Sequence, residues 1–207
     1  MYVLKEKWTE VLLKHQLTAR LATQTSKTQD NLQRLIMRMC REHPFHSLYQ
    51  VYCLQPDHPN STTANRRQSG RHFTSTQTER GAAASSIFDR LRSNESVEGR
   101  VRDIERLCDA CLEWAKHPIA KDERYKRGRA TTRFKIPDHL SIRKIAQLKV
   151  PVTTAPTPLD LTMKYNDCVW VDHYDPTFTT AGGINLPKVG ICHGSDGQKY
   201  KQLVRSS

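Results

Sequence analysis

The chain has 207 residues, with 33 Lys and Arg against 21 Asp and Glu, a formal net charge of +12. Hydrophobic residues make up 37 % and the mean hydropathy is −0.69, well below an average soluble domain. No apolar run approaches the roughly 20 residues a bilayer span needs, which excludes a helical membrane protein. Lys5, Glu6 and Lys7 stand where a signal peptide needs an apolar core, so secretion is not expected.

Residues 1–55 carry a helical pattern. Trp8, Val11, Leu12, Leu13, Leu17 and Leu21 recur at spacings of three to five, and Leu32, Leu35, Ile36, Met39 and Cys40 repeat the period. The side-chain oxygen of Thr28 or Asp30 is the expected cap of the second helix. A third helix is expected after Pro44, proline being suited to a first turn. Residues 56–86 are rich in Pro, Asn, Ser, Thr, Gln, Gly and Arg. Such a stretch buries too little to offset its ordering entropy, so it reads as a flexible loop. Ile87, Leu91, Val97, Val101, Ile104, Leu107, Leu112 and Trp114 then predict further helix, strongest over 96–117 and ending before Pro118.

Between Lys121 and Lys149 the chain carries ten Lys or Arg against three acids. This basic run reads as a solvated linker face, or as one that packs on an acidic part of a larger protein; contact with nucleic acid or a membrane surface is the alternative. Residues 150–158 predict an extended connector, because residues before proline avoid the helical region. Short strands are expected at Cys168–Val171, Thr177–Thr180, Lys188–Cys192 and Lys199–Val204. Asp196-Gly197 supplies the positive-φ residues of a tight hairpin between the last two.

The chemistry-bearing residues form no familiar constellation. Cys108-Asp-Ala-Cys111 is a lone pair without the second pair of ligands zinc requires, inside an amphipathic helix where thiols pack as small apolar groups. The six cysteines read as reduced intracellular thiols, not a disulfide framework. The nine histidines fall into no Ser/His/Asp or HExxH pattern. Thr180-Ala-Gly-Gly-Ile-Asn-Leu-Pro-Lys188 is neither GxxxxGK[ST] nor GxGxxG. Its adjacent glycines would still let backbone amides approach phosphate oxygens.

The run from Phe178 to Val204, with Ala181-Gly-Gly-Ile-Asn-Leu-Pro-Lys188, Gly194-Ser-Asp-Gly197 and Gln202-Leu-Val204, resembles the start of the kinase domain in the ATM branch of the phosphatidylinositol-kinase-related serine/threonine protein kinases. That branch includes the fungal telomere-maintenance kinase. His43-Pro-Phe-His46, Leu107-Cys-Asp-Ala110, Ile136-Pro137 and Val150-Pro151 extend the resemblance upstream. It implies an α+β chain: an antiparallel helical, FAT-type α-solenoid segment over 1–120, with 56–86 as its loop; a basic linker and connector over 121–173; and an incomplete antiparallel β N-lobe over 174–207.

The resemblance also implies a nucleotide site. Thr180, Ala181, Gly182, Gly183, Ile184, Asn185 and Leu186 would cover the ATP phosphates, and Leu203 would wall the nucleotide pocket. Arg205 stands where the family has its phosphate-clamping lysine, an exchange that is not conservative. The catalytic lobe that holds Mg²⁺ is not matched, so the resemblance implies a fragment, inactive alone, with no catalytic or metal-binding residue of its own. ATP and Mg²⁺ would serve the parent kinase and neither would be stably held here. Implied partners are protein substrates with Ser/Thr-Gln sites, a double-strand-break-sensing complex at DNA ends and telomeres, and a second copy in a homodimer. The implied setting is DNA-damage and telomere signalling in the nucleus, with no membrane. The alternative is a small basic scaffold or nucleic-acid adaptor using the Lys121–Lys149 run and the Arg66-Arg67 loop, whose binding would be lost on neutralising Lys126, Arg127 and Arg129.

Overall fold

The computed structural model describes residues 14–23, 26–55, 75–119, 133–181 and 187–204. Their helices are α1 (Lys14–Ala19), α2 (Lys27–Glu42), α3 (Pro44–Leu54), α4 (Ser75–Arg92) and α5 (Glu98–Lys116). The strands are β1 (Phe134–Lys135), β2 (Val171–Thr180), β3 (Lys188–Gly194) and β4 (Lys199–Val204), with a 3-10 turn over Ser141–Lys144. Among the described residues no helix is long and apolar enough to cross a membrane. The chain divides into two compact units, residues 1–105 with 158–166, and residues 106–157 with 167–207.

In the first unit the amphipathic periods become α2 and α3. The cap of α2 is Ser26, not Thr28 or Asp30: its hydroxyl accepts from the Gln29 amide at 3.2 Å. Thr28 and Asp30 fall inside the first turn, where Asp30 still favours the positive end of the helix dipole. Residue His43 alone turns the chain from α2 into α3, its amide closing on Met39 O at 2.8 Å, and Pro44 opens α3. Ile36, Met39, Cys40, Leu48, Val51 and Tyr52 are buried, and the Tyr52 ring meets Phe88 of α4 edge-on at 6.0 Å. Trp8 and Val11–Leu13 lie outside the described residues.

The expected loop over 56–86 is corrected in its last part, because α4 begins at Ser75. Ala82, Ala83 and Ala84 are strong helix formers, and Ala83 and Ala84 are fully buried. Small side chains thus do the packing that a search for large apolar residues misses. Residues 56–74 lie outside the described residues.

The segment Pro158–Asn166 belongs with these helices. Asp160 accepts from the Thr162 amide and hydroxyl at 2.7 Å each and from the Tyr165 amide at 2.6 Å. This holds Met163 and Tyr165 at φ 62 and 55, a left-handed conformation that costs a side-chain-bearing residue about 1–2 kcal/mol. Tyr165 is buried, its hydroxyl 2.8 Å from His43 Nδ1 and its ring edge-on to Phe45 at 5.2 Å.

The second unit is an antiparallel sheet in the order β1-β2-β3-β4, with the C-terminal half of α5 against one face. The two short strands expected at 168–171 and 177–180 are one strand, β2, with a register irregularity between Tyr174 and Phe178. Pro176 sits in that irregularity; it has no amide to give the ladder, which is where proline is tolerated in a sheet. The described half of the basic run is not a solvated linker. Phe134 and Lys135 pair with β2, and Ile136, Leu140, Ile142, Ile145 and Leu148 are buried. Its charges ride on a polypeptide anchored by apolar side chains. Residues 145–152 continue along the start of β2, with Gln147 N to Asp172 O at 2.7 Å and Val171 N to Val150 O at 2.9 Å.

Between β3 and β4 only Gly197 has positive φ, at 76. Asp196 does not share it, so the turn is not the two-residue form expected from Asp-Gly. The Gly197 amide returns to Gly194 O and the Gly194 amide reaches Gln198 O, each at 2.9 Å, the pattern of a longer hairpin ending in a left-handed glycine.

Candidate functional site

The β2–β3 hairpin is the candidate site, and its base is built in detail. Thr180 pairs with Lys188 and Phe178 with Gly190, while the Ala181 amide donates to Pro187 O at 2.8 Å. Alternation along the strands puts Phe178, Thr180, Lys188, Gly190 and Gln202 on the face toward α5. Val189 and its partner Leu203 lie on the other. Val189 is buried, whereas Leu203 is 59 % exposed, so an apolar side chain stands open on the sheet face away from the helix.

On the helix side the packing is close. A Cβ at Gly190 would lie 2.5 Å from the Trp114 ring, so only glycine admits α5 at that distance. Trp114 is fully buried and meets Phe178 edge-on at 5.6 Å; Phe178 in turn stacks on Phe134 at 5.4 Å. Lys188 is 4 % exposed. Its ammonium donates to Ala115 O at 3.0 Å, to His117 O at 2.6 Å and, at shorter range, to Trp114 O. All three ammonium donors are thereby used on carbonyls at the helix C-terminus, of which Trp114 O also accepts from the His117 amide at 3.2 Å. Burial pushes the Lys188 amine down to about 8. Burial also lowers His117, followed by the charges of Lys188 and His139.

Deeper on the same face Tyr174 donates to Gln202 Oε1 at 2.8 Å. Burial raises the Cys111 thiol to about 12 and the Cys192 thiol to about 11. A thiol raised this far is a poor nucleophile; Cys111 belongs to the CxxC of α5 and Cys192 to β3. At the far end of the strands His173 and His193 stack at 4.2 Å. His193 Nε2 lies 2.7 Å from Asp175 and His173 Nδ1 lies 2.8 Å from Asp172. Among the described residues no cluster of three or more His, Cys, Asp and Glu is placed to hold a metal ion.

Of the sequence-predicted site residues, Thr180 and Ala181 stand at the hairpin base and Leu203 on the open face. Gly182, Gly183, Ile184, Asn185, Leu186 and Arg205 lie outside the described residues. Lys188 was not among the expected site residues. Its partners lie 71 to 74 positions away, so no local pattern could have pointed to them.

Comparison with known proteins decides the family. The chain is 34 % identical over 200 residues, 94 % of its length, to the serine/threonine-protein kinase TEL1 of Cryptococcus neoformans var. neoformans serotype D. It is 30 % identical over 206 residues to the serine-protein kinase ATM of Sus scrofa. The chain is homologous to the Tel1/ATM serine/threonine kinases. It spans about 6 % of the length of these curated relatives. The structure of the open conformation of CtTel1 superposes with a TM-score of 0.77 at 20 % identity, covering 96 % of this chain and 7 % of that one. The FAT and kinase domain of CtTel1 gives 0.75 at 21 %, covering 97 % and 13 %. These likenesses show the fold, and the α+β expectation of FAT-type helices followed by an antiparallel kinase-lobe sheet holds. No family model matches the chain.

Proposed function

We propose that this Tel1/ATM-homologous chain contributes the phosphate-covering hairpin of an ATP- and Mg²⁺-dependent kinase that phosphorylates Ser/Thr-Gln sites in DNA-damage and telomere signalling in the nucleus. In this reading the parent works as a homodimer recruited by a complex that senses double-strand breaks at DNA ends and telomeres. The observation that carries the proposal is the hairpin base, where Ala181 N meets Pro187 O at 2.8 Å on either side of Gly182-Gly183. Adjacent glycines allow the backbone amides to approach the oxygens of the transferring phosphoryl group. Leu203, exposed on the open sheet face, supplies apolar surface for the nucleotide. Arg205, at the sequence position of the family's lysine, would supply positive charge against the negative charge that develops on the phosphate oxygens. The carboxylates that hold Mg²⁺ and the group that orients the attacking hydroxyl belong to other parts of the parent.

A graft tests this. Residues 174–205 replace the aligned segment of the Cryptococcus neoformans TEL1 kinase, and phosphorylation of a Ser-Gln peptide is measured. The graft is expected to turn over, Arg205→Lys to raise kcat, and Gly182→Val with Gly183→Val to lower kcat/KM by about 100-fold, the scale of an ångström-sized misplacement. A graft that stays inactive even with lysine at 205, or that ignores the valines, defeats the proposal. The 207-residue chain alone is expected to transfer no phosphate to the same peptide.

A further inference from the structure

We propose that Lys188 is a positioning residue through which the C-terminal end of α5 sets the base of the β2–β3 hairpin, so that the two open and close as one body. The proposal rests on the phosphate-covering reading above only for its consequence in catalysis; the mechanical link stands on geometry.

Lys188 is the first residue of β3, next to Pro187, whose carbonyl takes the Ala181 amide, and across from Thr180. Its backbone therefore belongs to the hairpin base while its ammonium belongs to the helix end, held by Trp114 O, Ala115 O and His117 O. One strand pleat further, Gly190 brings the sheet against the Trp114 ring with no room for a Cβ, and Trp114 contacts Phe178 on the opposing strand. Three successive attachments thus join the last turn of α5 to both strands of the hairpin.

A helix cap alone would be satisfied by water at an exposed end. Here a buried cation with no carboxylate among its hydrogen-bond partners is spent on the task instead. A charge-assisted bond of this kind contributes more than a neutral one, and interiors packed this closely move as units. Displacement of α5 along its axis would carry Lys188, and with it Thr180, Ala181 and Pro187. The regulation implied is that whatever shifts this helix in the parent retunes the hairpin that covers the nucleotide.

Two amides report on the link: His117 N, bonded to Glu113 O at 3.0 Å, and Ala181 N, bonded to Pro187 O. Native-state hydrogen exchange in the full 207-residue chain, without nucleotide, should give both the same opening free energy and the same denaturant dependence, distinct from the β3–β4 ladder. Lys188→Met should speed exchange at both by about 10-fold or more, the factor expected when a hydrogen-bonded charge is lost, and Lys188→Arg should restore most of the protection. Openings that differ in the unaltered chain overturn the proposal even if the Met variant fails to fold. So does acceleration at His117 with Ala181 unmoved, the behaviour of an ordinary cap. ATP with Mg²⁺ is added in a separate arm to the TEL1 graft described above, which carries the rest of the nucleotide site: an Ala181 unaffected by nucleotide there would count against the phosphate-covering reading while leaving the link standing.

Discussion

Burial lowers the Lys188 amine to about 8, against 10.5 for an ordinary lysine, and this fixes the sign of a pH effect. Between those values the unfolded chain holds a proton that the folded chain has released, so unfolding takes one up and stability rises with pH. Below about 8 both states are protonated and the folded state bears the full cost of its buried charge. The unaltered chain should therefore gain on Lys188→Met when urea midpoints at pH 7 and pH 10 are compared. A gap that does not change between the two would show that the amine is not held down by burial. Glu113, His117 and His139 surround the same helix end, so the comparison is made as a difference between variants. Gly190→Ala is expected to cost about 1–3 kcal/mol, since the added methyl overlaps the Trp114 ring and overpacking is charged at that rate. Thermal unfolding measures it, and a neutral outcome would mean Trp114 can withdraw.

At the level of elements, the sequence was legible where apolar side chains mark a period. α2, α3 and α5 are legible to within a few residues because buried apolar side chains such as Ile36, Leu48, Val101 and Trp114 belong to runs that return every three or four positions. The start of α4 escaped because its buried residues are Ala83 and Ala84, which composition counts as loop-like among their Ser, Thr and Gln neighbours. β2 reads as two strands in the sequence because Pro176 interrupts its pattern, while the strand itself continues around the irregularity. The cap of α2 was missed by two residues, Ser26 being the nearest oxygen outside the helix. Ser26→Ala should accordingly lower stability by about 1 kcal/mol, read from the thermal midpoint, whereas Thr28→Ala should leave it nearly unchanged. Equal losses for the two would contradict the assigned cap.

Across the whole molecule, the candidate site was legible only through its resemblance to kinases. The glycine pair and the exposed Leu203 are ordinary features taken one at a time. What the sequence could not disclose is the helix end beneath the hairpin, because Lys188 and Trp114 are brought together by the fold and not by spacing. The net charge of +12 was equally uninformative by itself: the described part of the basic run turned out to be pinned down by Ile136, Ile142 and Leu148. Neutralising Lys126, Arg127 and Arg129 should leave the pinned segment folded, with far-ultraviolet dichroism unchanged; a collapse of the spectrum would assign those charges a structural task.

The residues 158–166 join the helices although they are flanked on both sides by chain that belongs with the sheet. No single cut can therefore free the whole helical body from chain that belongs with the sheet. A polypeptide stopping at Ile119 would keep the recess lined by His43, Phe45 and His46 and lack the aromatic plug that fills it. Such a piece should bind a hydrophobic dye, and a synthetic nonapeptide supplying Tyr165 in trans should quench the signal. Dissection of the parent into expressible parts would then have to keep this short strap with the solenoid, and not with the lobe it leads into.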